Sequence, residues 1–580
     1  MSYLHTRICY LLLLTAGFST PLLAQVSVTF PTSRVVFQRN NSNQTNVPVA
    51  GKCPVNATQV QARLLARAGQ NGTTTNWQTL ELSGEHFQGT VVNVTGGWYD
   101  LDIKAYAGVD PIGSVYIERV GVGEVFVTAG QSNAWGGNFN RGQAVDDRVS
   151  VGTLATWVSG SGDYSESQMS LSFSPANLGA SGAMGMAPNA PLGLWGAVGD
   201  RLAQRLGVPV LFFGASHPGS RSTNWASAAA GVERQSDGCG LFDFCNNAPY
   251  RSLGAAISHY LKRTGVRAVL WHQGESDNYF RTRDGTPQQY IDQIGSVIAK
   301  TRSQLGFGAL SWVVSRVSYV PESYGPEYVN HETDPIIIAA QDFLASQPNN
   351  WPGPATDSMI FPNFRVLNND RIHFNDDDMP ALADVWSVAL SNSFFSTVQP
   401  SLPARTVLLT TGYVFPFTAV PGQSVSVPYL SAVPTMSGNQ YEVQLLTESG
   451  CFLATLASSA DNPISVTIPA WANGRYRFRV ASTMPVTTGE ANEPITINGS
   501  GTGLPPGTSA PRPATTIRNG RWDDAGVWTC GLPGSSDAVD LNHVITIPAS
   551  FRAQARQVNY GIGSRLIYEA GSRLMLGSEP

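Results

Sequence analysis

A chain of 580 residues is too long for one hydrophobic core, so three or four domains are expected. Only 13% of the residues are charged and the net charge is -5, which excludes the basic patch that nucleic acid requires. The 58 glycines and 37 prolines, with abundant Thr, Ser and Val, have the look of a secreted, β-rich, loop-rich protein.

Residues 1–24 read as a secretory signal: Arg7 supplies the charged start, Tyr10 to Ala16 the apolar stretch, and Ala24 the small residue before cleavage. No later segment is long and apolar enough to span a membrane. The mature protein is therefore expected to be secreted or periplasmic, with no membrane span. Residues 25–117 alternate apolar and polar in short bursts (VSVTF, VQARLLA, TVVNV, YDLDIKAY, SVYIERV) separated by turn residues, which predicts an N-terminal β-sandwich domain.

From 118 to 400 the pattern changes. EVFVTAG (124–130), VPVLFFGAS (208–216), VRAVLWHQ (266–273) and ALSWVVSRV (309–317) read as buried parallel strands. Between and after them, 194–207, 252–265, 287–306 and 381–395 carry apolar residues at helical spacing. This alternation predicts a parallel sheet covered on both faces, with reactive groups at the carboxyl ends of its strands. The β pattern returns over 404–498 as a second sandwich. Residues 499–513 (GSGTGLPPGTSAPRP) read as a linker. The segment 514–580 is β-rich, and its short repeat, Gly563-Ser-Arg-Leu566 and Gly571-Ser-Arg-Leu574, suggests solenoid rungs.

The mature part holds Cys53, Cys239, Cys245, Cys451 and Cys530, an odd number that prevents full pairing. Cys239 and Cys245 enclose a short loop and are expected to bridge in an oxidising compartment. No C-x-x-C pair is present, which argues against a zinc–thiolate site.

Within the α/β region, four short stretches could carry chemistry. Ser132 follows a buried strand and Gly130, a turn that makes a serine reachable, although a turn serine is ordinarily a cap. In NNDRIHFN (368–375), Asp370 and His373 stand three apart, so the acid can hold one imidazole nitrogen while the other faces a serine. The bland reading is a surface loop. VLWHQGESDN (269–278) places His272, Gln273, Glu275 and Asp277 at a strand end, with Gln273 able to donate to an oxyanion and the other three able to ligate a metal. GASHPGSRSTNW (214–225) offers the Gly219 backbone N–H, or simply a glycine turn.

These stretches, taken in order, resemble the SGNH hydrolases, and within them the sialate O-acetylesterase-like carbohydrate esterases. VGEVFVTAGQSNAWG (122–136) is similar to the first block, with Ser132 in the nucleophile slot. PGSRSTNW (218–225) is similar to the glycine block, with Pro218 replacing the first of two glycines and Trp225 at the expected distance. WHQGESD (271–277) resembles the third block, with Gln273 where other branches carry asparagine and His272 where an aromatic is usual. DRIHF (370–374) matches the last block.

Covering about 118–398, the resemblance implies a flavodoxin-like αβα sandwich and O-acetyl ester hydrolysis on sugars. It assigns Ser132, His373 and Asp370 as the catalytic triad and Ser132, Gly219 and Gln273 as the oxyanion hole. Glu275, Asp277 and Trp225 are expected in support, with no metal and no cofactor. The expected partner is an acetylated carbohydrate, chosen by the loops 138–190 and 226–250.

Two other readings stand beside it. One is a carbohydrate-binding or adhesion protein with an inactive hydrolase-like domain, contacting polysaccharide or a cell surface through its C-terminal β regions, with Trp522 and Trp528 as candidate contacts or else core residues. The other is a metal-dependent hydrolase using His272, Glu275, Asp277 and His373.

Overall fold

The computed structural model of the chain describes residues 26–577 except 154–169, 178–184, 233–243, 281–285, 307–309, 322–331, 361, 366–369, 404–406, 449, 507–513 and 536. The expected signal segment, Cys239 and the second half of the linker, 507–513, therefore lie outside the described residues. Among the described residues no helix is long and apolar enough to cross a membrane.

The N-terminal region consists of β1 (Ser27–Phe30), β2 (Val36–Gln38), β3 (Gln44–Lys52), β4 (Gln59–Ala66), β5 (Gln78–Ser83), β6 (His86–Thr95) and β7 (Gly97–Ala107), antiparallel except for β2, which pairs parallel with the strand that follows β7. Their ladder runs β1-β3-β6-β5-β4-β7 and then reaches β8 (Asp110–Gly130). β8 belongs to two structures at once. Its first half pairs antiparallel with β7, from Asp110 opposite Ala107 to Val122 opposite Gly97. Its second half enters a parallel sheet. The strand thus runs straight through the domain boundary expected at 117–118.

The elements that follow are α1 (Ser132–Trp135), β9 (Val149–Gly152), β10 (Phe173–Pro175), the two short strands β11 (Gly185–Met186) and β12 (Ala190–Pro191), α2 (Trp195–Leu206), β13 (Val210–Gly214), α3 (Ser222–Ala229), α4 (Tyr250–Ala255), α5 (Lys262–Thr264) after a π-helical stretch Ala256–Leu261, β14 (Ala268–His272), α6 (Glu275–Tyr279), α7 (Pro287–Leu305), β15 (Ser311–Arg316), α8 (Pro335–Ala345), β16 (Asn350–Ala355), α9 (Met379–Ala389) and α10 (Asn392–Thr397). The central sheet runs β10-β9-β13-β8-β14-β15-β16 and is parallel except for β10. All four strands read as buried and parallel are present, at β8, β13, β14 and β15.

Successive side chains of these strands point to opposite faces. Val125, Val127, Leu211, Phe213, Val269, Trp271 and Trp312 face a core shared with α3, α4, α7 and α8. Phe126, Val210, Phe212, Ala268, Leu270 and Val313 face a second core with α2, α9 and α10. Burial on both sides explains why these strands are continuously apolar.

A buried polar knot fastens the base of the sheet. Glu124, with no exposed surface, accepts from Arg267 Nε (2.8 Å), Arg39 Nε (2.8 Å) and Gln38 Nε2 (2.9 Å). Burial alone would raise the Glu124 pKa, but Arg267 and Arg39 outweigh it and hold the carboxyl below its ordinary value.

Residues 409–497 form a further antiparallel assembly led by Tyr441–Thr447, Phe452–Ser459 and Gly474–Thr483. It packs on the helical face: Lys300 Nζ meets Glu493 (2.6 Å), and the Arg251 guanidinium lies 4.4 Å from the Phe415 ring centre. Beyond the linker, parallel ladders join Ala514–Thr515, Ala538–Leu541 and Gln557–Tyr560; Gly520–Arg521, Val544–Ile547 and Arg565–Tyr568; and Arg552–Ala555 with Arg573–Leu576. The two Gly-Ser-Arg-Leu repeats are the turns and strand starts of the last two strands, with Gly563 and Gly571 at φ 79 and 73.

Trp522 and Trp528 are not surface residues. Each is 1% exposed, and their rings meet edge to face at 4.8 Å inside the separate core of this segment. That placement removes them as sugar contacts.

Among the cysteines, Cys245 is disulfide-bonded; Cys239, the partner expected for it, lies outside the described residues. Cys451 and Cys530 meet side chain to side chain, and Phe452 N–H donates to Thr529 O (3.3 Å) beside them.

Candidate active site

The site forms where β8 and β14 end side by side, Gly130 opposite His272. Gly130 holds φ 137, and a Cβ there would lie 2.1 Å from His272 O, so the turn requires glycine. Gln131 then locks the two strand ends together. Its N–H donates to His272 O (3.1 Å), and its Oε1 accepts from Gly274 N (3.1 Å), Ser276 N (3.0 Å) and Gln273 Nε2 (3.2 Å). The next residue, Ser132, is half-buried and opens α1, so its backbone N–H has no intrahelical acceptor.

The loop 370–375 brings Asp370 and His373 to this point across 241 residues of sequence. His373 Nε2 lies 2.8 Å from Ser132 Oγ, and His373 Nδ1 lies 2.5 Å from Asp370 Oδ2. The other Asp370 oxygen accepts from Ile372 N (2.8 Å) and His373 N (2.9 Å), which folds the loop around the carboxylate. Burial pushes the Asp370 pKa up, but the His373 hydrogen bond and the two backbone N–H groups prevail, leaving it below the ordinary value. The His373 side chain remains 34% exposed, so substrate can reach it.

On one side of the sheet, the loop after β13 carries Gly219 at φ 66. It is tied down through Ser220: Oγ donates to His217 O (2.7 Å) and accepts from Trp225 Nε1 (2.9 Å), while Ser220 O accepts from Gln273 Nε2 (3.1 Å). Trp225 is wholly buried against Trp271, with ring centres 5.0 Å apart, so it supports the loop from beneath.

Gln273 departs from its expected part. It is fully buried, and its amide nitrogen serves three protein acceptors: Gln131 Oε1, Ser220 O and Asp277 Oδ2. Both amide hydrogens are engaged in this state, so the side chain braces the loop instead of facing a developing oxyanion. Asp277 also accepts from Ser222 N (2.9 Å) and Ser222 Oγ, and burial raises its pKa.

Glu275 points elsewhere. Its Oε1 accepts from Asn133 Nδ2 (2.8 Å) and lies 3.8 Å from Arg365 Nη1 and 3.9 Å from His272 Nε2. Burial raises the Glu275 pKa. Burial, and then the nearby Arg365 charge, lower that of His272 to about 3. His272, Glu275, Asp277 and His373 therefore do not converge on a common point, and among the described residues no group of three or more His, Cys, Asp or Glu side chains is placed to hold a metal ion.

Sequence reasoning missed Asn133 and Arg365. Asn133 Oδ1 accepts from Phe374 N (3.2 Å), and its amide also reaches Ile372 O (3.2 Å). Arg365 Nη1 donates to the same carbonyl (2.6 Å). The one signal available was the position of Asn133 beside the serine.

Residues 122–347 match the profile of a family described as carbohydrate esterase, sialic acid-specific acetylesterase. No curated protein matches the chain significantly. Among solved structures, the chain is similar to a carbohydrate acetylesterase from Xanthomonas citri at 15% identity, covering 78% of this chain and 94% of the other with a TM-score of 0.39. A peptidoglycan O-acetylesterase aligns at 9% identity over 64% of this chain and 77% of the other, with a TM-score of 0.23.

Proposed function

We propose that this protein, whose segment 122–347 matches the profile of the sialic acid-specific acetylesterase family of carbohydrate esterases, is a carbohydrate O-acetylesterase that works as an exported serine esterase through Ser132, His373 and Asp370. The observation that carries this reading is the unbroken line Ser132 Oγ, His373 Nε2, His373 Nδ1, Asp370 Oδ2, with gaps of 2.8 and 2.5 Å.

His373 Nδ1–H donates to Asp370, which leaves Nε2 as the acceptor for the serine proton. As Nε2 takes that proton, Oγ bonds to the acetyl carbon, and the carbonyl electron pair moves onto oxygen. The backbone N–H groups of Ser132 and Gly219 receive this oxyanion, while Gln273 holds the Gly219 loop in place through Ser220 O. His373 then passes its proton to the sugar oxygen as the C–O bond breaks, leaving acetyl on Ser132. Water, deprotonated by His373, attacks the acetyl carbon, and acetate and the free serine are regenerated.

The same reading takes 118–400 as a flavodoxin-like αβα hydrolase domain. It sits between sandwich domains at 25–117 and 404–498, followed by the linker 499–513 and a solenoid-like segment at 514–580, with 1–24 removed on export to the periplasm or beyond. The two-sided burial of the central sheet and the parallel ladders after 514 support it.

The test is acetate release from p-nitrophenyl acetate and from acetylated xylan, with and without EDTA. Ser132→Ala should lower the rate by about 10⁴-fold or more, and EDTA should leave the wild type unchanged. Activity that survives Ser132→Ala would sink the triad.

A further inference from the structure

Arg365 is a long cation with no exposed surface, and every part of it is used. Nε donates to Met359 O (2.8 Å), Nη1 to Ile372 O (2.6 Å) and Nη2 to Thr356 O (3.2 Å). Its guanidinium lies 4.1 Å from the Phe374 ring centre and 5.1 Å from that of Tyr319. Its own backbone N–H donates to Asp378 Oδ2 (3.1 Å), the oxygen that also accepts from Asn375 N (2.9 Å). Residues 372, 374 and 375 are thereby all held by Arg365, directly or through Asp378. His373 is the residue between them.

The other side of the guanidinium faces the nucleophile's neighbours. Glu275 Oε1 stands 3.8 Å from Nη1 and accepts from Asn133, the residue after Ser132. Asn133 in turn grips Ile372 O and Phe374 N, two of the groups around His373. The backbone that presents the serine and the backbone that presents the histidine are therefore fastened to one buried ion pair. Burying a charge this deeply is unfavourable unless partners surround it. Arg365 also holds a left-handed φ of 58, a conformation that persists for a non-glycine residue only where the surroundings fix it.

We infer that Arg365 is a positioning residue for the hydrolytic reaction, setting the distance between His373 and Ser132 by gripping the carbonyl of Ile372. The inference rests on the Ser132–His373–Asp370 reading above. It assigns Arg365 no contact with substrate; the residue acts through the loop. Losing the grip lets the imidazole drift, and a misplacement of about 1 Å lowers a rate by about 100-fold. Since Arg365 has no exposed surface with which to touch an ester, binding should be spared.

The experiment compares wild type, Arg365→Met, Arg365→Lys and Ser132→Ala on p-nitrophenyl acetate, with kcat and KM measured separately and folding checked by circular dichroism. Alongside, proton NMR follows the downfield imidazole proton of the His373–Asp370 hydrogen bond, identified by its loss in His373→Ala. Arg365→Met is expected to lower kcat by about 10- to 100-fold with KM within about twofold, and to shift or broaden the downfield proton. Arg365→Lys keeps the charge toward Glu275 but loses the fork, so it should fall between. It carries the test if the methionine variant does not fold. A folded variant with wild-type kcat and an unmoved proton overturns the inference. If the wild type releases no acetate, or Ser132→Ala keeps its activity, the esterase reading fails. The proton signal then decides alone whether Arg365 sets the imidazole.

Discussion

Asp370 uses both oxygens, one for the imidazole and one for the loop backbone. Asp370→Asn keeps the shape but can donate to Nδ1, which turns the wrong tautomer toward Ser132. We expect kcat to fall about 10⁴-fold while the fold is retained, as read by ester hydrolysis and circular dichroism. The lowered pKa of Asp370 also fixes a sign. Its folded-state value lies below its unfolded one, so its stabilising contribution is complete above about pH 3.9 and is lost as pH falls through the lowered value. In acid titrations the stability gap between wild type and Asp370→Asn should therefore close below about pH 3.9. Ser132, Asp370 and His373 were legible because each sits in a short stretch whose residue types suit the chemistry. Arg365 and the partners of Asn133 were not, since Asn133 meets Glu275 and Ile372 across 142 and 239 residues.

At the level of elements, the turn after β8 fixes where Ser132 stands. Gly130→Ala would push a methyl group into His272 O and force φ out of its present range. The strand ends must then part, and esterase activity should drop by about 100-fold, with a lower melting temperature in the same sample. The long helices and buried strands were readable because burial imposes a period. β9 and β16 escaped notice: β9 is four residues long, and β16, Asn350–Ala355, carries Pro352, Gly353 and Pro354, which ordinarily argue against a strand and are tolerated on this edge. The helix expected over 381–395 is two, because Ser391 accepts from Phe394 N (3.3 Å) and starts α10. α8 went unread despite its apolar run, since PIII is as good a strand as a helix by composition.

On the scale of the whole molecule, one core runs from Val26 to Ile497, while the C-terminal segment keeps its own. Calorimetry should show two transitions, and a chain ending at residue 506 should lose one and keep the other nearly unmoved. A single merged transition that shifts on truncation would mean the contact near Cys451 and Cys530 couples the two cores. The several β regions were visible in the sequence as alternating bursts. Their fusion into one core was not, because alternation shows which face is buried but not what covers it.

The unbroken run of β8 has a consequence for how such a chain can change over generations. A genetic exchange at residue 117 would cut a strand whose upstream half is paired with β7 and whose last residue precedes the serine turn. An insertion or deletion of one residue just after Val122 would turn every following side chain of the strand to the opposite face, Phe126 with Val125 and Val127. The N-terminal β region therefore cannot be traded as a cassette. Inheritance must carry it and Ser132 together.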